Sequence, residues 1–82
     1  MMKRIRWQER VILEKDLHHG DPCIKGTRIP VAIIVGSLAD GMTSRQIREA
    51  YPQLADEDIS AALAYAADTI AIKQDMLLPL TA

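Results

Sequence analysis

The segment from His18 to Val31, HHGDPCIKGTRIPV, sets two glycines and two prolines among short apolar runs. Gly20-Asp21-Pro22 has turn chemistry, because glycine tolerates positive φ and an Asp side chain bonds its own downstream backbone. Cys23-Ile24 is a short apolar run. Lys25-Gly26 makes a second turn, with Gly26 free to take a left-handed backbone that a residue with a Cβ adopts only at a cost. Thr27-Arg28-Ile29 is a second short run. Pro30 fixes φ near the helical value and can open a helix where its missing N–H is not needed. The segment predicts strand, turn, strand and helix start, and it divides a basic, strand-like first part from a helical part that turns acidic.

The flanking sequence supplies the remaining elements. Arg10-Val11-Ile12-Leu13-Glu14 is a continuous β-prone run. Two short strands of one chain make a poor sheet, so pairing with a second copy through the strands, a homodimer, is expected. A first helix is predicted over residues 30–40, with Val31, Ile34, Val35 and Leu38 on one face and Gly41 as its C-terminal cap. Thr43 and Gln46 have capping-box spacing, and Met42 with Ile47 has that of a hydrophobic staple, so a second helix starts at Thr43. Ile47, Ala50 and Tyr51 are expected inside, and Pro52 ends the helix. A third helix begins near Ala55 or Asp56 and reaches about Gln74. Its expected buried stripe is Ile59, Ala62, Leu63, Ala66 and Ile70, with Ala61 and Tyr65 outward. The fold class is α+β: two or three short N-terminal strands, then a three-helix bundle of helix-turn-helix or winged-helix-like arrangement.

At 82 residues the chain is one domain. We divide it into a basic N-terminal segment (1–9), a single folded domain (10–74) and an apolar C-terminal tail (75–82). The core has no Phe and must be built from Ile, Leu, Val, Met and many Ala. The net charge of −1 hides an asymmetry: the chain is +3 up to Arg28 and −4 beyond it. A basic arm or sheet on an acidic helical body suits nucleic acid or an acidic protein surface, and a solvated strand pair explains the same imbalance. A single cysteine excludes an internal disulfide and fits a reducing cytoplasm, and Cys23 is expected to be buried packing. No signal-peptide h-region follows the charges of residues 1–6, and no run approaches a membrane span. A cytoplasmic protein without membrane contact is expected.

GDPCIKGTRIPV, then LADGMTSRQIREAYPQL, then DEDISAALAYA resemble the small prokaryotic family called domain of unknown function 433. The resemblance runs from about Arg10 to Asp68. It implies an antitoxin-like, VapB-type protein, often found beside a PIN-like nuclease. The implied function is that of a type II toxin-antitoxin antitoxin that neutralises such an RNase toxin and represses its own operon. The alternatives are a DNA-binding transcriptional regulator with no toxin partner and a non-catalytic dimeric interaction module. Where the family usually carries Ser or Thr at the cap of the third helix, this chain has Ala55.

The chemistry-bearing residues point to binding rather than catalysis. If DNA is a partner, the third helix is a poor reader, because its first turn is Asp56-Glu57-Asp58 and it has no base before Lys73. The candidate nucleic-acid contacts are Lys25 and Arg28 at the central turn and Arg45 and Arg48 on a shared helix face. Lys3, Arg4, Arg6 and Arg10 add positive charge near the N-terminus. Arg28 alternatively ties the turn to Asp21 or Asp40, and Trp7 covers the core edge or anchors a basic arm. Met76, Leu77, Leu78 and Leu80 are the candidate partner-binding residues; the tail either folds back or docks on a partner. His18 and His19 are adjacent, point opposite ways in extended chain and lack further ligands for zinc. No Gly-rich phosphate loop or nucleophile–base arrangement is present, so no enzyme activity, metal or cofactor is expected.

Overall fold

The computed structural model describes residues 5–13 and 20–76, with side chains described to residue 72. A 3-10 turn, Trp7–Glu9, precedes strand β1 (Val11–Ile12) and strand β2 (Cys23–Ile24); helices α1 (Val31–Ala39), α2 (Ser44–Ala50) and α3 (Asp56–Met76) follow. The α+β class is thus observed. The strands form one antiparallel sheet with Val11 opposite Ile24 and Ile12 opposite Cys23.

The predicted second turn forms at Lys25-Gly26, where Gly26 has φ +81°. Thr27 fastens it: its hydroxyl donates to the Ile24 carbonyl at 2.8 Å and accepts from the Ile29 N–H at 3.0 Å. The expected third strand, Thr27 to Ile29, is reduced to a single bridge between Cys23 and Pro30. That bridge corrects the start of α1. Pro30 is not the first helical residue but the N-cap, with ψ 144°, because its backbone still runs alongside Cys23.

The link between α1 and α2 is built from sequence-local chemistry. Gly41, at φ +97°, donates to the Leu38 carbonyl while Met42 donates to that of Ser37. This six-to-one and five-to-two pair is a Schellman ending. The Thr43 hydroxyl then accepts from the Gln46 N–H at 3.1 Å, and the Gln46 side chain accepts from the Thr43 N–H at 2.9 Å. Both halves of the capping box are therefore made. Tyr51 leaves the helical region before Pro52, at φ −128° and ψ 80°.

The core lies between the sheet and the three helices, with Ile24, Ile34 and Ile47 fully enclosed. Val31 and Ile34 of α1 point into it, and Val35 and Leu38 pack at its border. On α2 only Ile47 is buried; Ala50, expected inside, is exposed.

Helix α3 departs most from expectation. Ile59 and Ala62 are buried as predicted, but Leu63 and Ile70 are 46% and 57% exposed, while Ala61 is fully buried. The inward face is rotated toward Asp58, Ala61, Ala62 and Tyr65, because Trp7 and Arg10 lie against that side. Trp7 meets Tyr65 edge-on, with ring centroids 4.7 Å apart, and its indole N–H donates to the Asp68 carboxylate at 2.8 Å. Of the two roles considered for Trp7, covering the core edge is the one observed, from a 3-10 turn.

Candidate interaction surface

Some of the charged residues are committed to holding the fold. Ala55 occupies the N-cap position of α3 and has no side chain that can cap. The third residue of the helix supplies the missing group. Asp58 is 9% exposed, and its Oδ2 accepts from the Ala55 N–H at 2.9 Å, which is the reverse half of a capping box. Its Oδ1 accepts from Arg10 Nη1 at 3.1 Å. Arg10 is thereby removed from the basic residues free to meet a partner.

Arg48 is also engaged. Its Nε lies 2.8 Å from Asp56 Oδ1; the approach is an ion pair without hydrogen-bond alignment, and the nitrogen is shielded from water. Arg45 is highly exposed and sits 3.8 Å from Glu49 one turn along α2. Such an exposed pair is loosely held. Lys25 and Arg28 are exposed, and neither makes an ion pair among the described residues; Arg28 does not reach Asp21 or Asp40. They line separate shallow hollows, Lys25 beside Glu9 and Asp58, Arg28 beside Gln53. The four sequence-predicted bases therefore form two paired arginines on α2 and two unpaired residues at the central turn.

The surface missed by the sequence reading is apolar. Leu63 and Ile70, assigned to the core, line the outer side of α3, and Ile72 is 60% exposed. Ile5, Leu63, Ala64 and Ala67 wall an open groove, with Asp56, Glu57 and Ser60 at one end. A spacing of three and four through residues 60, 63, 67 and 70 was the available signal. Its large members Leu63 and Ile70 are expected in the core from sequence, because nothing local indicates that Trp7 and Arg10 take the other side of the helix.

Of the predicted partner-binding residues, Met76 ends α3, and Leu77, Leu78 and Leu80 lie outside the described residues. His18, His19, Lys3 and Arg4 lie outside them too. Cys23 is fully buried; burial first, and then the nearby Asp21 charge, push its thiol above the ordinary value. Among the described residues no group of three His, Cys, Asp or Glu side chains is placed to hold a metal. No helix there is long and apolar enough to cross a membrane.

A small α+β domain, with its polar anchors turned inward and an apolar helix face turned outward, is the class of protein these features define. The chain belongs to the family described as Protein of unknown function (DUF433), which matches residues 11–66. A crystal structure of a DUF433 member from Anabaena variabilis ATCC 29413 is similar, with a TM-score of 0.70 and 29% identity over 83% of this chain and 68% of that one. The protein y4eO of Sinorhizobium fredii (strain NBRC 101917 / NGR234), named as uncharacterized, is 37% identical over 59 residues, 72% of this chain. The match spans only 27% of that relative's length.

Proposed function

We propose that this protein is a non-enzymatic, antitoxin-like binding protein that docks on and silences a PIN-like RNase and acts on its own operon. The observation that carries this reading is the C-terminal course of α3. The helix continues past its last core-facing turn with Ile72 60% exposed. One turn further comes Met76, followed in sequence by Leu77, Leu78 and Leu80. An apolar run of this kind on a small domain is an interaction element, because leaving it in water has no compensating gain. Seated in the carboxylate-rich cleft of a metal-dependent nuclease, it would exclude substrate by occupancy. Lys73 is the one base near enough in sequence to meet those carboxylates.

The test is purification of the tagged chain from its native host with its neighbouring genes intact. A stoichiometric small partner is expected to co-elute, with metal-dependent RNase activity that rises when this chain is removed. Deleting residues 75–82 is expected to weaken that complex while the circular dichroism of the domain persists. Elution without any nuclease would sink the antitoxin reading. A second reading, a DNA-binding regulator without a toxin, draws on Lys25 and Arg28 at the central turn, which make no ion pair among the described residues. It predicts salt-sensitive binding to DNA that the double charge reversal Lys25→Glu, Arg28→Glu abolishes.

A further inference from the structure

We infer that the outer face of α3 pairs with the same face of a second copy, antiparallel, across a two-fold axis at the level of residue 65. This gives the expected homodimer an interface other than its sheet. It goes beyond the nuclease reading and does not depend on it.

Two exposed apolar surfaces on one helix carry the inference. One is the open groove in which Leu63 is exposed, with Ala67 and the N-terminal Ile5 half-buried and Ala64 buried along it. The other is the end of α3, where Ile70 and Ala71 are exposed beyond the turn that packs on the core. A two-fold operation maps a patch onto itself, so each copy would lay its helix end over the other's groove, and both surfaces would be covered at once.

Residue size fits this arrangement. Ser60, Leu63, Ala67 and Ile70 follow the alternating spacing of a helix–helix seam. With the axis at residue 65, Leu63 faces Ala67 of the partner subunit and Ile70 faces Ser60 of the partner subunit. Each layer then sets one large side chain against one small one, which lets the helices approach closely.

Charge selects the direction. Asp56 and Glu57 stand at the start of α3, and its one base, Lys73, lies near the other end. The same axis keeps the two acidic first turns apart, each at the level of the partner's last turns, where Lys73 offsets Asp75. A parallel pairing would set the acidic first turns of both copies together, adding like-charge repulsion where the helix dipoles also oppose. The sheet offers less: each strand is two residues long, and the outer side of β2 is already met by Pro30. Ile72 falls on the far side of α3 from this seam and stays available to another partner.

Sedimentation equilibrium of the full chain from about 1 to 200 μM tests the pairing. The expected result is a dimer of the 9.1 kDa chain whose dissociation constant rises at least 100-fold in Leu63→Glu, with unchanged far-ultraviolet circular dichroism. The register is tested by disulfide trapping. Ser60→Cys with Ile70→Cys in one chain is expected to give an oxidised dimer, and each single variant none, because residue 60 meets 70 and neither meets itself. The ten-residue separation along α3 excludes an intramolecular bond, and Cys23 is buried. A wild-type monomer at 200 μM would overturn the inference; so would a dimer indifferent to Leu63→Glu, or trapping by Ser60→Cys alone. If Leu63→Glu fails to fold, the trapping pattern decides.

Discussion

Asp58 joins the start of α3 to the edge of the sheet through one carboxylate. It fills the capping position that Ala55 leaves empty, and it binds Arg10 at the edge of the sheet. Removing it orphans a backbone donor and leaves a partly buried guanidinium without its counter-charge. Asp58→Ala is therefore expected to cost about 2 kcal/mol, which for a domain of this size lowers Tm by roughly 8–16 °C. Arg10→Ala should cost less, because Asp58 keeps its bond to Ala55. Asp58→Asn should fall between, since an amide oxygen can still accept from the Ala55 N–H. Thermal melts of the three variants check this order. A second test at this scale uses the thiol. Cys23 is raised above its ordinary pKa by burial and then by Asp21, so it should resist iodoacetamide at pH 8 in the native protein and react once urea unfolds it, as intact mass would show. A group whose folded pKa is the higher one stabilises fully below its unfolded pKa and loses that contribution as pH climbs through the folded value. The Cys23 contribution should hence be constant through neutral pH and decline only in the alkaline range.

Elements in this protein begin and end for reasons that differ in range, and that decides which were legible in the sequence. The junction of α1 with α2 is local. Gly41, Thr43 and Gln46 specify it within six residues, and the structure places each in the expected role. Gly41→Ala is predicted to cost about 1–2 kcal/mol from the left-handed backbone alone, because a Cβ there meets no atom within 4 Å. Thr43→Ala should cost about 1 kcal/mol through the lost cap. The two losses should fall short of additive, because both substitutions act on the same three-residue link, and denaturant unfolding of the pair measures the shortfall. The start of α1 was missed by one residue, since the bridge from Pro30 to Cys23 is a contact made across the turn. The inward face of α3 was misassigned for the same kind of reason at longer range. Helical periodicity reports that an apolar stripe exists and not what lies against it, and here a Trp and an Arg from the N-terminal segment claim the neighbouring face. Position 58 shows the same limit: its capping value was legible from its place in the first turn, its pairing with Arg10 was not.

At the scale of the molecule, the basic first part and acidic remainder survive as a sequence pattern but not as two uniform surfaces. Folding couples them through Arg10 and Asp58, while Arg48 pairs with Asp56 within the acidic remainder. Of the four candidate nucleic-acid contacts, Arg45 and Arg48 are ion-paired, and Lys25 and Arg28 make no ion pair among the described residues. Each phosphate neutralised on duplex DNA contributes about −0.9 to the slope of log K against log salt. If DNA is bound through the central turn, the slope should be about −2 per protomer, and only four contacting bases would bring it near −4. Fluorescence anisotropy with a labelled duplex at several salt concentrations reads this directly. Lys25→Glu with Arg28→Glu should then remove measurable binding, whereas Arg45→Ala should leave the slope unchanged, because its exposed partner Glu49 already offsets its charge. A slope near −4 with Arg45→Ala reducing it by about one would mean that phosphate outcompetes Glu49, and would move the interface from the central turn onto α2.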